Sequence, residues 1–245
     1  MNTISLTDKY KPRSLQDLLL PPGHGIALSL QFLATPYPAA FLLYGRSGLG
    51  KSSLADLMAQ AASPHPLNIR RYAGPDLTSD VVRELTSAFS TPSVFGGYYS
   101  LIVNEADKIP SLAQIRLLDL MDRLPEYNLT MVLTSNDELP DFDSRFLSRT
   151  KPQLFTAQGL APLARDWLSR IAAAEGIPLS KSEAARIVKI SHNNLRACLQ
   201  SLELLGAERK SGVIPAPQMP DIPPPKDTLP TTGNPAANPR QTAEF

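Results

Sequence analysis

The sequence is poor in cysteine: Cys198 is the only one. A lone cysteine excludes an internal disulfide, so the fold must rest on burial alone, and a reducing, cytoplasmic setting is the expectation. Long apolar runs are missing as well. The longest are strand-sized, against the ~20 residues that span a bilayer, so no membrane partner is expected. The opening residues, MNTISLTDKYKP, are polar and lack an apolar core, which predicts no secretory signal. Charge of one sign is also scarce. Lys and Arg number 24 against 23 Asp and Glu, a net charge of +1. That excludes a polycationic chain, so any nucleic-acid contact must come from local patches. What is present is a chain of 245 residues, 42% apolar and 19% charged, long enough to bury a sizeable core in one or two domains.

Proline marks one boundary. Residues 211–245 hold 9 of the 24 prolines and almost no large apolar side chains. Such a segment cannot offset its ordering entropy by burial, and a disordered Pro-rich tail is predicted over 209–245. Upstream, short continuous apolar runs alternate with helical patterns. Strands are predicted at 39–44, 67–72, 98–103, 129–134 and 151–155. Helices are predicted at 52–62, 80–89 and 111–124, the last with Ser111 as N-cap and an apolar face at 112, 115, 118 and 121. This alternation predicts an α/β domain over 1–157, a parallel sheet flanked by helices. From about Leu160 only helices are expected: 161–174, a second capped by Ser180 and reaching Ile190, and 194–205 closed by Gly206. They make a small helical domain over 158–208.

Gly45 to Ser52 (GRSGLGKS) fits the phosphate-loop pattern G-x-x-x-x-G-K-[ST]. Its glycines let the loop curl so that backbone N–H groups face phosphate oxygens. Lys51 supplies charge for the β- and γ-phosphates, and Ser52 offers a hydroxyl to Mg²⁺. The loop follows a predicted strand and opens a predicted helix, as that chemistry requires. Nucleotide binding, with ATP and Mg²⁺ as ligands, is the firmest expectation. Gly45, Gly48, Leu49, Gly50, Lys51, Ser52 and Ser53 are the candidate binding residues.

About fifty residues on, the apolar strand of SLIVNEADKI ends in Asn104–Glu105. Glu105 is placed to polarise a water for attack on the γ-phosphate. Asn104 stands on the metal side with Ser52. Asp107, two residues past Glu105, is expected to face a loop or a DNA-side surface, with a contribution to the metal environment as the alternative. A third strand ends in Thr134-Ser-Asn136, where Asn136 can orient the attacking water.

Together these residues resemble the AAA+ ATPases, and among them the small subunits of sliding-clamp loaders such as replication factor C and its phage relatives. The resemblance runs over roughly residues 6–205. DKYKP at 8–12 with LQDL at 15–18 is similar to the family's opening "EKYRP…DL", which implies that Tyr10 and Pro12 border the adenine. Residues 67–73, running on to VVRE at 81–84, resemble its second strand and the helix after it. Glu105-Ala-Asp107 and Ala113-Gln114 echo its "DEAD…AQ" pattern, in which the residue matching Asn104 is an aspartate. Ser148-Arg149-Thr150, with Phe155 following, resembles the Ser-Arg-Cys motif. That likeness implies that Arg149 reaches a neighbouring subunit's ATP, with Arg145 a competitor for the role. Asn194 to Gln200 resembles "DMRxALNxLQ", which gives Arg196 a nucleotide-sensing role. The helical collar domain of clamp loaders is expected to have no counterpart, since the Pro-rich segment stands where it would begin.

The resemblance implies an ATP hydrolase working in an oligomer of AAA+ subunits on DNA, with a sliding clamp as a further partner. Asn104 keeps the size and one acceptor oxygen of aspartate but loses its charge, so slow hydrolysis is expected. A non-hydrolysing subunit that uses ATP to stabilise a heteromeric complex is the alternative. A P-loop kinase of a small molecule fits less well, because it leaves Asn136, Arg149 and Arg196 unexplained. Arg70, Arg71, Arg83 and Lys108 are the candidate DNA contacts.

Overall fold

A computed structural model describes residues 4–136 and 142–211 of the chain. Five parallel strands alternate with helices. The described elements run α1 (Leu6–Lys9), α2 (Ala27–Ala34), β1 (Ala40–Gly45), α3 (Lys51–Ala62), β2 (Ile69–Ala73), α4 (Ser79–Phe89), β3 (Tyr99–Asn104), α5 (Ser111–Asp122), β4 (Leu129–Ser135), α6 (Ser144–Arg149), β5 (Lys151–Phe155), α7 (Leu160–Ala174), α8 (Lys181–Ile190) and α9 (Leu195–Ser211). The sheet order is β2-β3-β4-β1-β5. The sheet is covered on both faces, which explains why its central strands read as unbroken apolar runs: all of β4 is buried, and so are Phe41, Leu42 and Leu43 of β1.

Two apolar layers flank the sheet. One gathers Phe41, Leu43, Leu54, Met58, Ile102 and Val132 with Leu168, Val188 and Leu202 of the C-terminal helices. The other joins Leu42, Leu101, Val103, Met131 and Leu133 to Leu85, Phe89, Leu117 and Leu120. The first layer is continuous between the sheet and α7–α9, so the helices after residue 160 pack onto the face that carries the phosphate loop.

Three local expectations give way. The strand expected from Leu67 begins at Ile69, because Pro66 opens a 3₁₀ turn over Pro66–Asn68 that His65 Nδ1 caps at Leu67 N. Pro110, not Ser111, is the N-cap of α5, and Ser111 is its first helical residue. Its buried face is Ala113, Leu117, Leu120 and Met121, while Leu112 and Ile115 are 71% and 57% exposed. Residues 113, 117, 120, 121 and 124 form a helical stripe of their own, and this one packs on the sheet. Finally, Gly206 does not close the last helix, which continues to Ser211. A Cβ there would meet Ile177 Cδ1 at 2.7 Å, so this glycine serves close packing. The tail expected from 209 thus begins with helical residues, and 212–245 lie outside the described residues. Among the described residues no helix is long and apolar enough to cross a membrane.

Candidate functional site

In a parallel sheet the carboxyl ends of all strands share one edge, where ligand crevices form. Here β1, β3 and β4 are neighbours, and their registers bring three segments together. Tyr44 lies opposite Ser135, and Val103 opposite Leu133. The loop after β1, Asn104–Glu105 after β3 and Ser135–Asn136 after β4 therefore converge. They line a cleft of about 590 Å³ together with the N-terminal segment and the start of α9.

Lys51 lines the cleft. Its side chain is nearly covered, at 6% exposure. Nζ donates to Gly45 O at 2.6 Å, Arg46 O at 2.7 Å and Asn136 Oδ1 at 3.0 Å. Burial, with the nearby Arg196 charge adding to it and Asp107 opposing, pulls its pKa down to about 8. Such a lysine is held by neutral acceptors and favours an anion that restores its charge. Gly48, Leu49, Gly50, Ser52 and Ser53 also line the cleft. Gly45 stands behind the loop and contributes its carbonyl to Lys51.

Asn104 Oδ1 accepts from Ser52 Oγ and from Thr134 Oγ1, both at 3.1 Å. Glu105 follows with φ 55° and ψ 52°, a left-handed conformation that a non-glycine residue adopts at a cost of about 1–3 kcal/mol. Its carboxylate lines the cleft and pairs with Lys108 at 2.7 Å. Asp107 departs from expectation: it turns toward the site, accepting from Ser135 Oγ at 2.8 Å and acting electrostatically on Lys51. Serine at the end of β4 supplies the hydrogen bond that draws it inward.

The cleft is also lined by Thr7, Tyr10, Pro12, Leu18, Leu19, Trp167 and Leu199. Tyr10 OH donates to Glu175 Oε1 at 2.5 Å, and that bond, with burial and the carboxylate's charge, pushes its pKa up to about 12. Lys9 reaches the same carboxylate at 2.7 Å. Glu175 at the end of α7 thereby ties the N-terminal segment to the C-terminal helices.

Several of these residues were not singled out in the sequence. Trp167 flanks the buried stripe of α7 and gives no local signal beyond being the one tryptophan. Asn194 is the most consequential. A Cβ on Gly48, whose φ is +76°, would stand 2.0 Å from Asn194 Oδ1, and Leu195 N donates to Gly48 O at 3.0 Å. The loop glycine is thus also the seat of α9, and it brings Arg196 into the cleft.

Arg149 is not among the residues lining its own chain's cleft. Its guanidinium forks onto Asp122 at the end of α5. Arg145 is taken up by Asp143 at 2.7 Å. Of the candidate DNA contacts, Arg71 pairs with Asp56, Arg83 with Asp80 and Lys108 with Glu105, while Arg70 is exposed.

Residues 41–157 match the sequence profile of the AAA family, the ATPase family associated with various cellular activities. The chain carries an AAA ATPase domain. Over 215 residues it is 25% identical to the replication factor C large subunit of Methanosarcina acetivorans, covering 83% of this chain and 34% of that protein. The large subunit of Methanosarcina mazei is 23% identical over 224 residues, covering 86% and 35%. The chain therefore spans about a third of the length of these curated relatives. Among solved structures, a variant of Thermotoga maritima RuvB superposes with a TM-score of 0.64 at 16% identity, over 83% of this chain and 68% of that one. A second RuvB variant gives 0.61 at 18%, over 80% and 65%. These likenesses show the AAA+ P-loop fold. In the AAA domain the cleft lies where the β1, β3 and β4 ends meet, with Arg196 reaching in from the helices beyond it.

Proposed function

We propose that the AAA domain binds ATP with Mg²⁺ in this cleft and hydrolyses it slowly, at an interface with a neighbouring AAA+ subunit. The observation that carries the reading is the convergence of Lys51, Ser52, Asn104, Glu105, Asn136 and Arg196 on one cleft that apolar side chains also line. A nucleoside triphosphate calls for both kinds of lining. Its phosphates belong with Lys51 and the loop N–H groups, its base with Tyr10, Pro12 and Leu18.

The donor set fits Mg²⁺. Ser52 Oγ and Asn104 Oδ1 are hard oxygen donors 3.1 Å apart beside the phosphate end. When bound, the ion polarises phosphoryl oxygens as a Lewis acid.

In this mechanism Lys51 turns from the loop carbonyls to the phosphates. Glu105 leaves Lys108 to take the proton of the attacking water, and Asn136 orients that water. Arg149 of the adjacent subunit neutralises charge on the transferring group, an effect worth ~10³ or more in rate. Its position outside its own chain's cleft supports action in trans. Arg196 reports nucleotide state to α7–α9, so binding biases the arrangement of neighbouring subunits. A boundary at 157 separates the nucleotide-binding domain from this lid, whereas the one expected at 208 falls inside α9, which runs to Ser211.

The resemblance to clamp-loader subunits extends the proposal to a DNA-associated assembly step inside the cell, in replication, repair or mobile-element biology, with other AAA+ subunits, DNA and a sliding clamp as partners. The neutral Asn104 favours a second reading, a subunit that binds ATP to stabilise a heteromeric complex without turnover. Mass measurement with and without ATP and primed DNA, combined with turnover under the same conditions, tests both. ATP-dependent assembly with slow turnover supports the first, and assembly with none supports the second. A monomer under every condition removes the role of Arg149 in trans.

A further inference from the structure

We propose that Asp122 is a positioning residue for Arg149, holding its guanidinium ready for the nucleotide of an adjacent subunit; this rests on the reading of Arg149 as acting in trans. Asp122 is the last residue of α5 and Arg149 the last of α6. Arg149 Nε donates to Asp122 Oδ1 at 2.7 Å, and Nη2 to Oδ2 at 2.9 Å. Nη1 donates to the carbonyl of Arg145, one turn back, at 3.0 Å. The guanidinium is therefore fixed in plane by three bonds from two elements.

The chemistry of the fork gives this arrangement its consequence. A guanidinium carries five N–H groups. Three are engaged by Asp122 and Arg145, which leaves one on each terminal nitrogen. Two N–H groups on one edge match two oxygens of a phosphate. The side chain keeps 31% of its surface exposed, so it is both held and reachable. A free arginine must surrender extensive rotamer freedom to meet a phosphate, whereas this one has already done so. An exposed pair contributes little to folding, so its geometry matters more for catalysis than for stability. Arg145, the other arginine of α6, is occupied by Asp143 and cannot substitute without breaking its own fork.

The test assigns Asp122 to one side of the interface. Subunits carrying Lys51→Ala, with a disabled cleft and an intact Arg149, are mixed with Arg149→Ala subunits, whose cleft is intact. Turnover should reappear in the mixture. Adding Asp122→Ala to the Lys51→Ala subunit should lower that restored turnover about ten-fold, a part of the ~10³ that such an arginine supplies. Adding it to the Arg149→Ala subunit should change nothing. Asp122→Asn, which keeps the shape and one acceptor, should fall between, and the ATP affinity of the Arg149→Ala subunit should stay within about two-fold whether or not Asp122 is changed. Equal losses from either side, or a rise in turnover, overturn the assignment and make Asp122 a structural or restraining contact. If the mixture restores nothing although each variant folds and the Arg149→Ala subunit binds ATP, the in-trans reading itself falls, and this inference with it.

Discussion

Ser52 Oγ donates to Asn104 Oδ1 at 3.1 Å, so the hydroxyl proposed to meet Mg²⁺ is aimed at a neutral side chain. Asn104→Asp keeps that acceptor and adds a negative charge. Turnover of the assembled protein should rise about ten-fold, which corresponds to about 1.4 kcal/mol of transition-state stabilisation. ATP affinity should change little. Steady-state phosphate release checks the first expectation and calorimetry the second; unchanged turnover in correctly assembled protein would remove Asn104 as the cause of slow hydrolysis.

Glu105→Gln separates binding from chemistry. The amide cannot accept the water's proton, so turnover should drop about 10²-fold or more, in the range expected of a lost general base. Binding should persist, because the carboxylate pairs with Lys108. Single-turnover hydrolysis of radiolabelled ATP distinguishes the two effects.

Lys51 predicts a pH dependence. In the free protein its proton leaves near pH 8, whereas the unfolded chain holds it to about 10.5. Between these values the unfolded state binds more protons, so this residue's contribution to stability is least favourable below pH 8 and improves as pH rises to about 10.5. ATP binding runs the other way. Phosphates favour the charged lysine, so above pH 8 binding takes up a proton and weakens with pH. Calorimetry at pH 8.5 in two buffers of different ionisation enthalpy should show that uptake; identical heats would contradict it.

Gly48→Ala should damage two things at once. The left-handed backbone there strains any Cβ by about 1–3 kcal/mol, and that Cβ would also collide with Asn194. We expect lower stability in denaturant unfolding and an ATP affinity reduced about ten-fold or more, since α9 and Arg196 lose their seat on the loop. Normal binding and stability would mean that this contact is dispensable.

Much of the architecture was legible because covered parallel strands announce themselves as apolar runs. FLLYG, SLIVN and LTMVLTS each read as a strand, and each does end at the cleft. Ser180 could be read as a cap because Glu183 stands three residues on, and the two form a capping box. The face of α5 could not be read, because two apolar stripes compete on it and only the packed sheet chooses between them. Asp107 was illegible for a similar reason. Its direction depends on Ser135, 28 residues away, through a hydrogen bond. Asn194 and Glu175 act through contacts with the phosphate loop and the N-terminal segment, and nothing in their local sequence reports contacts at that distance.

The central claim is that the cleft around Lys51 binds ATP, and isothermal titration of the purified chain with ATP·Mg tests it most directly. One ATP should bind per chain of the natural sequence, and binding should be about ten-fold weaker or worse for Lys51→Ala, a loss of about 1.4 kcal/mol or more. No binding by the natural sequence, or equal affinity in the folded variant, would contradict it.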